Sequence, residues 1–585
     1  MAHHTLFKLN SCRVALVIIV ISLVLLANNG AGISHAASAS RSDVLLAGVP
    51  DLSNSVLYQT DGAAGCRNST PEESMVIARR DLTQELRTIS PPSLQSGGGL
   101  NIVLRATPEL DAHPQAKAAF QRAADLWASR VQSPTTIFVD ADFGTAWFGN
   151  EFSEGVIGIT NPQALIASRA WPMVWSKLIE STTDSKESSL YWGLPLVPRL
   201  PTDIGETGSI LAPSAVFRTL GLINDDPTFD PPFYGPSPAI GFNSAMSFDF
   251  DPSDGIESGK YDFEAVVAHE IGHVLGFISA VGQRELNPDC ELAVTVWDLF
   301  RLRPGQSMGG LATSNRILSS GGAQVFFEGE EELQLSTGRP DGTGGDGLQP
   351  SHWRDDSLVG QRIGIMDPTI PAGTRQTITF NDLTALDLFG YTLKPFGNAR
   401  PSINTLAADL NGDVLTVTGG GADADGDVVQ IEAQFLDQRG RSLAQTAPFS
   451  SEFGITPTLA LRLRFTGMGG LAEATQVSLV LIDSRGNRSP AVSADFSGGD
   501  PGAVKISEAS YEKNRLLIKG KRLTSDVQVE INGVIVAPPE VFTVSPNGKK
   551  LTIAAPSTAL NLHAGANRIR LIGGGLRSNL LVASF

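Results

Sequence analysis

Cysteine is scarce in this chain, with three copies in 585 residues, at positions 12, 66 and 290. That number cannot make a disulfide framework, so the fold must rest on packed cores. Histidine is nearly as scarce, with eight copies, which makes any close grouping of histidines informative. Basic residues are outnumbered: 44 Lys plus Arg against 61 Asp plus Glu gives 44 − 61 = −17. A surface of that sign does not displace counterions from a phosphate backbone, which excludes nucleic acid as a partner. No closely spaced repeat is present, which argues against a solenoid or propeller. What the chain holds in quantity is apolar residues, at 42%, and turn formers, 60 Gly and 35 Pro. A length of about four typical domains then suggests two to four packed units, several of them built from short strands.

Long apolar runs are also missing after residue 27. Before it, Lys8 and Arg13 flank the stretch 14–27, which only Ser22 interrupts. As a helix that stretch reaches about 21 Å, short of a roughly 30 Å hydrocarbon core. Small-residue cleavage patterns follow at Ser34-His35-Ala36 and Ala37-Ser38-Ala39. Residues 1–39 are therefore read as a signal peptide, with an uncleaved membrane anchor as the alternative. The mature chain is expected to be secreted, with no membrane span. Cys66 and Cys290 are then an even pair in an oxidising compartment, and a disulfide between them is the plain reading. Residues 40–98 are polar, end in turn-rich Ser90-Pro91-Pro92 and Gly97-Gly98-Gly99, and resemble a leader or propeptide.

From residue 99 the pattern tightens. Leu100, Ile102 and Leu104 alternate as on a strand, and Pro114 opens a helix with Phe120, Ala123, Ala124, Trp127 and Val131 on one stripe. A strand is expected over 135–143, no regular element over 145–240, and a strand over 240–250. A helix over 262–275 follows, capped by Asp262 and stopped by Gly276. Strand, helix, strand reads as an α+β domain with a mixed sheet, spanning 99–395. Beyond a linker near 394–398, helical periodicity fades into short strands with hairpin turns at Asn532-Gly533 and Asn547-Gly548. Two all-β sandwich modules are expected, over 399–497 and 503–585.

His269-Glu270-Ile271-Gly272-His273 lies inside the 262–275 helix. Residues four apart share a helix face, so both imidazoles can close on one metal ion, with Glu270 beside the open position. Catalytic zinc takes a third protein ligand and leaves a fourth place for water. Within the same domain the only histidine downstream is His352, in Ser351-His352-Trp353, and Gly364-Ile365-Met366-Asp367-Pro368 follows it. An acidic residue is the alternative third ligand, Asp387 being the nearest.

His269, Glu270, His273, Gly276 and Phe277 together resemble the H-E-x-x-H-x-x-G-F helix of metzincin zinc peptidases. Most metzincins place the third ligand three residues after that glycine, where this chain has Ser279. The leishmanolysin branch instead places it after a long insertion, in a Ser-His-Trp context before a Met-turn. This sequence is similar to that branch, with an insertion of 352 − 273 = 79 residues and Met366 at 366 − 352 = 14 residues past His352. The segment 379–391 resembles the closing helix, and Tyr391 resembles a family position. The resemblance implies a zinc endopeptidase acting on protein or peptide substrates, with Glu270 as general base and Met366 as a floor under the metal. The 503–585 module resembles immunoglobulin-like domains of surface proteins, which implies contact with a cell surface or matrix. An alternative function follows: a metal-binding adhesion protein without hydrolysis, acting through its β modules.

Cys66, in Gly65-Cys66-Arg67, offers a sharper reading than the disulfide, as a thiolate ligand that holds the enzyme latent. Three acidic clusters, at 249–255, 409–413 and 423–427, have the alternating hard oxygen donors that suit Ca2+. None has the EF-hand glycine, and solvated turns are the plainer reading of each.

Overall fold

The computed structural model describes residues 7–9, 54–60, 62–89, 99–252, 255–339, 344–450, 454, 456–471, 473–496, 498, 503–536, 542–574 and 576–585. The apolar stretch 14–27, both cleavage patterns and Cys12 lie outside the described residues. Within 1–39 the strand Phe7–Leu9 is described, antiparallel to Ala164–Ala167. Among the described residues no helix is long and apolar enough to cross a membrane. The chain forms two compact units, Met1–Pro395 and Phe396–Phe585, dividing within the expected linker.

The first unit is mixed α and β. Its main sheet has eight strands in the order Thr369–Pro371, Ala63–Asn68, Ser55–Gln59, Val156–Asn161, Ala239–Asn243, Thr136–Gly144, Asn101–Ala106, Arg87–Thr88. Thr136–Gly144 runs parallel to both of its neighbours, and the helix Pro114–Ala128 makes the crossover to it from Asn101–Ala106. Alternate burial of Ile102, Leu104 and Ala106 follows the period of two in the sequence. The crossover helix buries Ala116, Ala119, Phe120, Ala123, Ala124 and Trp127. Trp127 also donates its indole N–H to the Ala268 carbonyl at 2.9 Å, fixing one helix on the other.

That second helix, Phe263–Leu275, has no exposed face: every residue in it is buried. Asp262 caps its N-terminus by accepting from the Ala265 N–H at 3.1 Å. Phe263 then packs its ring within 4.9–5.6 Å of Phe248, Phe242, Phe143 and Phe120. At the other end Gly276 adopts φ +142°, and a Cβ there would meet the Phe389 ring at 2.5 Å. Glycine is required at that stop both by conformation and by space.

Two regions differ from what composition and periodicity indicate. The stretch 145–240 is structured, holding Val156–Asn161, Ala164–Ala167, Trp171–Ser181, Ser185–Trp192, Ile210–Pro213 and Ala239–Asn243. Its strands are buried on both faces and so lack alternation, while its helices are short. The leader-like stretch also folds into this unit. Ser55–Gln59 and Ala63–Asn68 join the main sheet, and Pro71–Ala78 is a helix with a Thr70–Glu73 capping box. Its polarity is used internally: Arg67 pairs with Glu73 at 2.6 Å, and buried Arg80 pairs with Asp140 at 3.1 Å.

The second unit is all β and contains two sandwiches. The first pairs a three-stranded sheet (Ser402–Asn411, Val414–Ala422, Thr458–Phe465) with one built on Val428–Asp437 and Ala474–Asp483. The second pairs a sheet built on Arg515–Lys521 with one built on Gln528–Ile531 and Ala566–Gly573. Each has its own apolar core, around Val417, Ile431 and Leu479 in one and Ile518, Ile531 and Leu571 in the other. Asn532 and Gly533, at φ +51° and +82°, make the tight hairpin that their sequence indicates. Buried arginines join the two sandwiches into one unit, Arg570 donating to the Leu410 and Phe496 carbonyls and Arg568 to that of Met468.

Candidate metal centre

Three histidines from two distant stretches meet inside the first unit. Helical spacing puts His269 and His273 on one face with ring centroids 5.1 Å apart, and His352 completes the triangle at 5.0 and 4.9 Å. His269 Nε2 lies 3.0 Å from His352 Nε2. Every ring directs its other nitrogen to a backbone carbonyl. His269 Nδ1 is 2.8 Å from the Ile365 oxygen, His273 Nδ1 2.6 Å from that of Phe277, and His352 Nδ1 3.0 Å from that of Gln349. A carbonyl can only accept, so Nδ1 carries the proton and the Nε2 lone pair faces the shared centre.

A fourth donor stands beside them. Cys66 Sγ lies 3.9 Å from His273 Nε2, and one donor atom from each of Cys66, His269, His273 and His352 falls within 4.8 Å of all the others. Ligands on a tetrahedral ion with bonds of about 2.0–2.3 Å sit roughly 3.3–3.8 Å apart, so small shifts of these donors, now 3.0 and 3.9 Å apart in two pairs, would let the four hold one small cation. All four residues are buried. Cys66 is a free thiol, so the expected Cys66–Cys290 disulfide is overturned. The strand Ala63–Asn68 carries Cys66 into the histidine centre, where Ser55 Oγ is 2.7 Å and Gln349 Oε1 3.4 Å away. Cys290 is buried outside this cluster. Asp387 is outside it too, with Glu187 and Asp184 as its charged neighbours.

Burial sets the protonation of the metal-free centre. It pulls His269 down to about 4 and His273 to about 3, the second aided by His269, and holds His352 well below its ordinary value. All three are neutral at pH 7, the state a metal requires. Burial, reinforced by the Glu270 charge, pushes the Cys66 thiol up. Glu270 itself is pushed up to about 7 by burial, opposed by the nearby Thr160 and Ser55 hydroxyls. Neither Glu270 oxygen has a hydrogen-bond partner of normal geometry. A bound dication reverses this logic, favouring both carboxylate and thiolate.

The shell around the ligands explains how His352 arrives from 79 residues away. Ser279 ties the start of the 79-residue stretch between His273 and His352 to its end, its N–H donating to Ser351 Oγ at 3.0 Å. Its hydroxyl donates to Asp298 at 2.8 Å, and Asp298 pairs with fully buried Arg301 at 2.8 Å. Arg301 donates in turn to the Pro350 and Ser336 carbonyls, and Ser336 N–H holds the His352 carbonyl at 3.1 Å. Asp382 does the same for the segment that carries Ile365 and Met366. Its carboxylate accepts from Trp353 Nε1 at 2.8 Å, Ile365 N–H at 2.7 Å and Thr379 N–H at 2.8 Å. Met366 is buried against the helix at Gly272, where a Cβ would come within 2.4 Å of Met366 Sδ. Tyr391 is buried, with Thr219 and Arg218 as its polar neighbours.

Gly272, Asp298, Arg301, Gln349 and Asp382 carry no motif that singles them out in the sequence. For Asp382 a local signal exists, since Thr379 and Asp382 form a capping box at the start of Phe380–Leu388. No protein-family model matches the chain, and no curated protein matches it. Among solved structures it is similar to a mouse coronavirus receptor-binding domain complexed with its murine receptor, at 12% identity and a TM-score of 0.12 over 30% of this chain and 96% of that one. It is also similar to titin Ig tandem domains A164-A165, at 13% identity and a TM-score of 0.13 over 32% of this chain and 94% of that one. Likenesses of that size carry no argument about fold or activity.

Proposed function

We propose that the chain is a secreted zinc-dependent endopeptidase of the leishmanolysin-like metzincin type, described here in a latent form. His269, His273 and His352 hold the zinc, Glu270 is the general base, and Cys66 closes the site. The observation that carries this reading is three inward Nε2 atoms beside a buried carboxylate with no hydrogen-bond partner of normal geometry, only the nearby Ser55 and Thr160 hydroxyls, one residue along the same helix. A buried carboxyl without partners is destabilising, and neither a histidine cluster nor a purely structural metal gives a reason to keep one there.

Zinc held by three neutral imidazoles supplies a Lewis acid that lowers the pKa of water toward about 7. Glu270 takes a proton at its carboxylate from the attacking water and returns it to the leaving amine. The fixed Nδ1–H bonds keep all three Nε2 lone pairs inward during turnover. Ser55–Gln59 lies antiparallel on Val156–Asn161, with Ser55 and Thr160 facing Glu270. An extended substrate would add to that same edge by strand pairing, so residues 54–68 block both the edge and the fourth ligand position.

The test is casein cleavage by the full chain, by Cys66→Ser, and by chain freed of its N-terminal segment. Activity in the last two, abolished by a zinc chelator and restored by added zinc, is expected. Zinc binding without cleavage in any form would favour the adhesion protein instead.

A further inference from the structure

A second group of donors lies at one end of the first sandwich. Asp423 follows the strand Val414–Ala422, Asp427 precedes Val428–Asp437, and Asp483 ends Ala474–Asp483. The two long strands pair in register, Val428 opposite Asp483, which brings the three loops together. One oxygen from each aspartate lies within 4.8 Å of the other two. Two ligands on one calcium ion, with bonds of about 2.4 Å, are at most roughly 4.8 Å apart. These side chains are deeply placed, Asp423 being 1%, Asp427 3% and Asp483 2% exposed.

Ordinary partners do not satisfy them. Asp423 Oδ2 and Asp427 Oδ1 are buried without a hydrogen-bond partner of normal geometry. Their remaining bonds are local: Asp423 Oδ1 accepts from Asp425 N–H at 3.2 Å, and Asp427 Oδ2 accepts from the Ser484 hydroxyl. Asp483 accepts from the Arg485 and Asn487 N–H groups at 2.9 and 2.7 Å. Among the described residues no Lys, Arg or His forms an ion pair with any of the three. The two arginines that follow Asp483 in sequence have other partners, Arg485 the Phe396 carbonyl and Arg488 Glu432 at 2.8 Å. Burial, then the Asp427 charge, pushes Asp423 up to about 6. Buried carboxylates of like charge need a cation or a shared proton.

We propose that Asp423, Asp427 and Asp483 form a calcium site whose occupancy fastens residues 396–399 onto the first sandwich. An all-oxygen donor set drawn from irregular loops suits calcium over zinc, which prefers N and S donors, and over magnesium, which demands a regular octahedron. The link to 396–399 comes from alternation along the same loops. Between the ligands, Asp425 accepts from the Ala399 N–H at 2.7 Å, Arg485 donates to the Phe396 carbonyl, and Asn487 reaches Asn398 at 3.1 Å and Asp483 at 2.8 Å. Gly397 fits because a Cβ there would lie 1.9 Å from Asp425 Oδ1. An ion that fixes 423, 427 and 483 therefore fixes the side chains that grip 396–399. This inference does not depend on the histidine centre.

The test is calorimetric titration of CaCl2, and separately MgCl2, into the calcium-depleted full chain, alongside chymotrypsin cleavage after Phe396. One calcium per chain is expected, with Kd in the range of about 10⁻⁵–10⁻³ M and much weaker magnesium binding. Millimolar calcium should slow cleavage after Phe396 about tenfold, and Asp427→Asn should remove that protection and weaken binding at least about tenfold. Asp483→Asn is the second variant, and the wild-type titration decides alone if neither folds. No calcium heat at millimolar concentration, or wild-type binding in both variants, would overturn the site in favour of a proton shared by Asp423 and Asp427. Binding without protection of Phe396 would overturn the fastening.

Discussion

The histidine centre and the aspartate cluster both gather donors from distant parts of the chain, yet they solve burial in opposite ways. Imidazoles are neutral when buried, and each here gives its spare proton to a carbonyl, so the three pack together without a counter-charge. Aspartates cannot do this: two of the three keep orphaned oxygens, and one is pushed toward protonation. The exception inside the histidine centre is Glu270, which has the same orphaned state as Asp423 and Asp427. A neutral donor set can thus be preassembled by the fold, while an orphaned buried carboxylate marks where an ion or a proton transfer belongs.

The strongest test of this contrast is Glu270→Ala. Cleavage by the activated chain should fall by at least about 10²–10⁴, with zinc content unchanged. Zinc lost together with activity would make Glu270 structural. His352→Ala should do the reverse and lose most of the bound zinc, read by elemental analysis; full zinc occupancy would remove His352 from the ligand set. Asp382→Ala leaves the Trp353, Ile365 and Thr379 donors without an acceptor. At about 1–3 kcal/mol for an unsatisfied buried group, denaturant unfolding should show a loss of several kcal/mol, and zinc affinity should fall about 10–100-fold. A loss in stability alone would show that the shell does not position the ligands.

The smallest effect concerns Asp387, a half-buried carboxyl whose charged neighbours Glu187 and Asp184 are themselves acidic. Burial, then Glu187 and Asp184, push it up to about 8. A raised carboxyl stabilises the fold while protonated. Its contribution is complete below its unfolded pKa of about 4 and is lost as pH rises through about 8. Asp387→Asn should therefore stabilise the chain relative to wild type by an amount that grows from pH 5 to pH 8, to about 1 kcal/mol because the group is partly exposed, and this reads as a rising difference in Tm. Parallel Tm curves would rule the titration out.

Much of the histidine centre was legible because its geometry is local. The spacing of His269 and His273 on an unbroken helix fixes their shared face, and Asp262 and Gly276 mark its ends. His352 was reached by elimination among few histidines and by resemblance, but what holds it there was not legible. Asp298, Arg301 and Asp382 act across 3 to 49 residues, through bonds to side chains and backbone groups alike, and apart from the Thr379–Asp382 capping box these leave no pattern in sequence. Cys66 misled for a similar reason: an even cysteine count indicated a disulfide, whereas strand pairing at Ser55–Gln59 and Ala63–Asn68 delivers the thiol to the histidines. The polar leader-like composition hid those strands because polar side chains of that stretch are tied up internally, Arg67 with Glu73 and Arg80 with Asp140. In the second unit, alternation and Asn-Gly turns made the sandwiches readable. The arginines joining them were not, since Arg568 and Arg570 reach across to backbone carbonyls of the other sandwich, which leave no mark in sequence.

X-ray absorption at the zinc edge of the full chain tests the central claim most directly. Three nitrogen scatterers at about 2.0 Å and one sulfur at about 2.3 Å are expected, the sulfur replaced by oxygen in Cys66→Ser. A chain purified in the presence of zinc that shows no bound zinc, or a shell of oxygen alone, would contradict it.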